Sequence, residues 1–298
     1  MIPVDYNKAI IQPVHASWLE VKNIELNVLR LDAIHPVISG NKWFKLKYHL
    51  KEAALQGKNT LATFGGAWSN HIAATAYACK VAGLSCIGII RGEAPAVYSS
   101  TLLQAQADGM QLHFVSREAY RSKESIMQQY QKQDYYWVNE GGFGETGTKG
   151  AAEILGLVED AKTYTHIVAA VGTGTMLAGL INAAGAYQNI IGISSMKGNA
   201  QLLQDVQALT PNAVAKYAIN HDHHFGGYGK HPKELLEYIN QFYLSHHIPL
   251  DIVYTGKSMF ATQHLVETGY IPAGSKLLFI HSGGLQGNQS LAPEVLAF

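Results

Sequence analysis

The chain has 298 residues, and its 22 basic residues are balanced by 22 acidic ones. With 47% hydrophobic and 15% charged residues it has the composition of an ordinary globular protein of one large or two medium domains. No basic block or stripe occurs, which argues against nucleic acid or an anionic membrane and leaves a small molecule as the expected ligand.

Cys79 and Cys86 match neither a disulfide framework nor a zinc site. Met1 to Lys8 lacks the basic-then-apolar pattern of a signal peptide, and no apolar run is long enough to span a bilayer. A cytoplasmic protein is expected.

From about residue 60, short apolar runs alternate with helical patterns. Leu61 to Phe64 reads as a strand broken by Gly65-Gly66. Ser69 then opens a helix through Val81-Ala82, with Gly83 as its stop. Leu84 to Ile90 is a strand, Ser99 to Ala107 a helix, and Leu112 to Val115 a strand. A polar helix from about Glu118 to Gln131 and a strand from Tyr135 to Val138 close this half. A glycine-rich stretch, Gly141 to Gly150, separates it from a second series.

In that series, strand His166 to Val171 leads through Gly172-Thr173-Gly174-Thr175 into a helix, and Ile190 to Ser194 is another strand. Leu235 to Tyr243 reads as a helix, Ile252 to Tyr254 as a short strand, Lys257 to Thr268 as a helix, and Leu277 to His281 as the last strand. Such alternation, with near-continuous apolar strands, predicts an α/β fold: two lobes of parallel sheet covered by helices, with a cleft between them. Ligands in this architecture sit beyond the carboxyl ends of the strands.

Five segments carry the chemistry. Ser39-Gly40-Asn41-Lys42 delivers an amine on a small-residue turn, and Gly65-Gly66-Ala67-Trp68-Ser69-Asn70-His71 can face it. An amine opposite a glycine loop with hydroxyl and amide groups is equipment for holding an aldehyde cofactor. Ser69 reads as an N-cap, which also places its hydroxyl, Asn70 and His71 where a helix dipole favours a carboxylate.

The Gly172–Thr175 loop fits a monophosphate better than a pyrophosphate, and it is neither a Walker nor a dinucleotide motif; a tight turn without a ligand is the alternative. Tyr254, before Thr255-Gly256-Lys257, can aim a phenol into the cleft or simply pack. Ser282, before Gly283-Gly284, can meet a cofactor ring nitrogen. His221, His223 and His224 lack zinc-finger or HExxH spacing, so loop packing or cleft lining beside Phe225-Gly226-Gly227-Tyr228-Gly229 is expected rather than a metal site.

In this order the segments resemble the 1-aminocyclopropane-1-carboxylate deaminase and D-cysteine desulfhydrase family over about residues 10 to 287. The resemblance implies pyridoxal 5'-phosphate on the tryptophan-synthase-β fold (fold type II). It further implies a large domain formed by residues 1–46 and 151–298 and a small one by 47–150, in what is commonly a homodimer.

Carried over by position, Lys42 would bind the cofactor aldehyde, Asn70 its ring hydroxyl, and Thr173, Gly174 and Thr175 its phosphate. Ser69 would contact the substrate carboxylate or assist proton transfer, with Asn70, His71 and Gln286 also near the substrate. Tyr254 would sit over the reacting carbon. The family's second tyrosine after the terminal Gly-Gly, and the deaminases' following glutamate, are missing from Leu285-Gln286-Gly287-Asn288-Gln289-Ser290.

The expected activity is therefore a lyase or deaminase reaction on a small amino acid. Elimination of the thiol from D-cysteine, giving pyruvate, sulfide and ammonia, is favoured over opening of a cyclopropane ring. β-Replacement, racemisation, or phosphate-ligand binding without catalysis are the alternatives.

Overall fold

The computed structural model describes residues 4–130 and 134–298. Its strands are β1 (Ile11–Val14), β2 (Glu25–Arg30), β3 (Thr60–Gly65), β4 (Ser85–Arg91), β5 (Met110–Val115), β6 (Tyr135–Val138), β7 (His166–Val171), β8 (Asn189–Ser194), β9 (Lys216–Asn220) and β10 (Lys276–His281). The α-helices are α1 (Ser17–Glu20), α2 (Asn41–Leu55), α3 (Asn70–Ala82), α4 (Ser100–Ala107) and α5 (Lys123–Gln129). They continue with α6 (Glu145–Ala152), α7 (Thr175–Ala183), α8 (Leu202–Ala208), α9 (Lys233–His246) and α10 (Thr255–Glu267).

The strands form a six-stranded sheet in the order β1-β2-β10-β7-β8-β9 and a four-stranded sheet in the order β5-β4-β3-β6. All pairings are parallel except β1 with β2. Both faces of the larger sheet are buried, which is why Leu277 to Ile280 of β10 are all apolar. Leu278 and Ile280 pack with residues of α7 on one side, while Leu277 and Phe279 pack with α9 and α10 on the other. The expected parallel α/β architecture is thus present.

Three local expectations change. Residues 252–254 are a turn rather than a strand, because the buried Asp251 carboxylate gathers the chain that follows it. Its oxygens accept from the backbone N–H of Val253, Tyr254 and Thr255 at 2.7–2.8 Å and from the Thr255 hydroxyl at 2.6 Å. These bonds cap α10 and outweigh the β preference of Ile252 and Val253.

The glycine-rich stretch is not only a separator, since Glu145–Ala152 is a helix wedged between α2 and α7. A Cβ on Gly150 would stand 1.8 Å from the Phe44 carbonyl oxygen, and one on Gly179 would stand 2.5 Å from the Ala151 Cβ. The glycines are what allow these helix backbones to touch. The polar helix is a short 3₁₀ turn, Ala119–Arg121, followed by α5; Gln131 lies outside the described residues.

Candidate active site

The carboxyl ends of β3, β4, β7 and β10 converge on a cavity of about 350 Å³. Its wall includes Lys42, Ser69, Asn70, His71, Thr173, Gly174, Tyr254 and Ser282, so most of the residues singled out from sequence are brought together. Two are not on the wall. Thr175 is wholly buried behind it, its hydroxyl 3.2 Å from that of Thr173. The Gln286 amide instead donates to the Val37 carbonyl at 2.8 Å, because a short 3₁₀ turn from Leu285 swings it away from the cavity. The expected substrate contact of Gln286 is therefore corrected.

Lys42 stands in the first turn of α2. The chain enters that helix through Gly40 in a left-handed conformation (φ 63°), where a Cβ would collide with the Ser282 carbonyl oxygen at 1.9 Å. The Asn41 N–H donates to that same carbonyl at 3.1 Å, pinning the start of α2 onto the loop after β10. The Lys42 amine donates to Asn41 Oδ1 at 2.7 Å. Burial lowers its pKa to about 8, partly offset by the Asp251 carboxylate. A lysine amine so placed has a substantial neutral fraction near neutral pH and can act as a nucleophile.

Ser69 caps α3, accepting from the Ile72 N–H at 3.3 Å. Asn70 donates to the Gly284 carbonyl at 3.3 Å, while its buried Oδ1 has no partner in the protein. His71 is neutral: burial and the nearby Lys42 and Lys45 push its pKa well below the usual imidazole value. The Thr63 hydroxyl donates to the Val138 carbonyl, so His71 Nε2–H must donate to Thr63 Oγ1 at 2.8 Å. This leaves Nδ1 as a buried acceptor without a protein partner.

Gly174, at φ 85°, turns the chain into α7, so that a helix N-terminus and the Thr173 hydroxyl face the cavity. Tyr254 lies beside Gly172, its ring 3.3 Å from where a Cβ would be, and burial raises its pKa well above the usual phenol value.

Sequence reasoning assigned no site role to Lys45, Arg91, Glu140 and Tyr228, which also line the cavity. Lys45 was findable, because an i,i+3 spacing from Lys42 puts both amines on one face of a helix. Burial and the charge of Lys42 lower its pKa strongly. Arg91 ends an otherwise apolar strand, and a charge at that position points toward the cleft. Glu140 and Tyr228 come from irregular segments with no periodic signal.

These features fit a phosphorylated aldehyde cofactor, with a nucleophilic amine, a helix N-terminus for an anion, and buried polar atoms lacking protein partners. The family model described as "Pyridoxal-phosphate dependent enzyme" matches residues 18–283. The chain belongs to that family.

Its curated relatives include a putative 1-aminocyclopropane-1-carboxylate deaminase of Pyrococcus abyssi, 30% identical over 295 residues, covering 92% of this chain and 88% of that protein. A bifunctional D-cysteine desulfhydrase/1-aminocyclopropane-1-carboxylate deaminase, mitochondrial, of Arabidopsis thaliana is also 30% identical over 295 residues, covering 88% and 73%. A solved structure of an ACC deaminase homologue superposes with a TM-score of 0.80 at 26% identity, covering 94% of this chain and 90% of that one.

The resemblance read from the sequence is therefore borne out, and with it the fold type II architecture and pyridoxal phosphate as cofactor. Among the described residues, no helix is long and apolar enough to cross a membrane, and no three His, Cys, Asp or Glu residues form a metal-binding group. His223 packs against His264, with ring centroids 5.0 Å apart, outside the cavity wall.

Proposed function

We propose that the protein is a deaminating lyase of small amino acids, D-cysteine desulfhydrase-like in preference to cyclopropane-opening. The observation that carries this is the placement of the Lys42 amine and the Tyr254 phenol on one cavity wall with the Ser69–His71 helix N-terminus. Bound pyridoxal phosphate supplies an electron sink for bonds at the substrate α-carbon. Thr173, Gly174 and the N–H groups opening α7 would hold its phosphate, and Asn70 its ring hydroxyl. Ser69 and the N-terminus of α3 would bind the substrate carboxylate, where the helix dipole favours a negative charge.

In this assignment the Lys42 amine takes the α-proton, which its lowered pKa equips it to do near neutral pH. Tyr254, kept protonated by burial, donates to the departing β-substituent. A substrate with an α-proton and a β-leaving group uses both residues, whereas a cyclopropane substrate offers no α-proton. The missing glutamate after Gly284 also supports simple elimination.

A cytoplasmic setting suits the two buried free cysteines, Cys79 and Cys86. A homodimer remains part of the proposal and would elute at about twice the 32.4 kDa chain mass by light scattering.

The test is spectroscopic and then enzymatic. Purified protein should absorb near the visible edge and bleach with borohydride, and a panel of D- and L-amino acids should release keto acid most rapidly from D-cysteine. Keto acid released only from the cyclopropane substrate would reverse the preference. A colourless protein that cannot be loaded with cofactor would rule out catalysis.

A further inference from the structure

Tyr254 is not the only phenol at the cavity. Tyr228 lines the same wall with its ring edge-on to that of Tyr254, the centroids 5.9 Å apart at 72°. It sits between left-handed Gly227 (φ 121°) and Gly229 (φ 70°), on a loop with no regular structure to fix it. What fixes the loop is Lys257, whose side chain is fully buried. Its ammonium donates to the carbonyls of His224 at 3.0 Å and Gly227 at 2.7 Å, immediately before Tyr228.

Lys257 lies in the first turn of α10, and Tyr254 is the N-cap residue of that helix. One helix terminus thus holds both phenols, Tyr254 directly and Tyr228 through a buried amine. Desolvating an ammonium to clamp a loop is costly, and carbonyl hydrogen bonds offset that cost only where the loop position matters.

The geometry points to Tyr228 as a positioning residue that orients the Tyr254 hydroxyl, with Lys257 as the clamp that holds Tyr228 in place. This rests on Tyr254 acting in the chemical step as proposed above. Burial is the main reason both phenols resist ionisation, but their hydroxyls are coupled. Tyr228 raises the Tyr254 pKa further, while hydrogen bonding from Tyr254 lowers that of Tyr228. The other charged groups facing the pair are Asp251 and Glu140, which oppose ionisation, and Arg91, which favours it at Tyr228.

Tyr228→Phe, Lys257→Met and the double variant are compared in the holoenzyme on its best substrate. Each single change should lower kcat about tenfold or more with KM within about twofold, and the double variant should be no worse than the more severe single, because both act through one contact. Losses that multiply, or a Y228F enzyme with normal kcat, would overturn the inference.

Should K257M fail to fold, ¹³Cζ-tyrosine NMR of the cofactor-free Y228F protein decides. The Tyr254 resonance, assigned with Tyr254→Phe, should move from its parent position at neutral pH, where both phenols are protonated, and an unmoved resonance would overturn it. Normal kcat in Y254F would instead defeat the underlying reading of Tyr254. A normal Y228F beside a crippled Y254F would defeat this inference alone.

Discussion

The Asn70 side-chain amide and the Gly284 carbonyl, 214 residues apart in sequence, meet at 3.3 Å across the cavity. The bond joins the start of α3, above the four-stranded sheet, to the loop ending β10 of the six-stranded sheet. It also holds the unpartnered Oδ1 edge of Asn70 at the binding surface. Asn70→Ala should weaken pyridoxal phosphate binding about tenfold, the scale of one lost hydrogen bond, while leaving the fold intact. Fluorescence titration of cofactor-free protein measures this, and unchanged affinity would remove Asn70 from the cofactor site.

The Gly172–Thr175 loop makes a separate, steeper prediction. At Gly174 the backbone is left-handed, and a Cβ would approach Val206 Cγ2 to 2.8 Å. Gly174→Val should therefore distort the anion site and raise the cofactor dissociation constant by about 100-fold, from strain of about 1–3 kcal/mol added to lost phosphate contacts. Thr173→Val, which preserves the backbone, should raise it by about tenfold. If both variants bind as the parent does, the phosphate lies elsewhere.

Tyr254→Phe retains the ring against Gly172 and deletes only the hydroxyl. It should depress kcat about 100-fold or more with little effect on cofactor affinity. Ser69→Ala removes a group assigned to substrate carboxylate binding as well as a helix cap. It should act mainly on KM and cost about 1 kcal/mol of stability. Steady-state kinetics on one substrate separates the two roles, and equal kcat losses would show that Ser69 acts in the chemical step as well.

The Lys42 amine adds a pH dependence. Burial lowers its pKa to about 8, and only its neutral form attacks an aldehyde. Below that value protonation withholds the nucleophile, so the rate of covalent cofactor loading should rise with pH and level off above about 8. Stopped-flow absorbance of cofactor-free protein mixed with cofactor follows this directly. A rate still climbing near pH 10 would mean that an ordinary exposed lysine is reacting.

Much of this site was legible in the sequence because strand-to-loop transitions carry strong local signals. Ser69 before an apolar helix and Gly83 after it marked α3, and the Val171-Gly172 boundary marked the glycine loop that leads into α7. β1, β2 and β9 were missed, as β1 and β9 are short strands at the sheet edges and β2 is half-polar and pairs with β10 near the other end of the chain. The turn at Asp251 was hidden for a related reason. Ile252 and Val253 favour a strand, and only burial of the carboxylate with four donors explains why the chain bends there. Tyr228 gave no periodic signal at all, and its relevance comes from the Lys257 clamp, a contact across 30 residues.

The central claim is that Lys42 carries the cofactor. Borohydride reduction of the loaded protein followed by peptide mass mapping tests it most directly. The pyridoxyl label should be found on Lys42, with Lys42→Ala losing both the label and the visible-edge absorbance while remaining folded. A label on Lys45, the second amine lining the cavity, or on Lys257 would contradict the account.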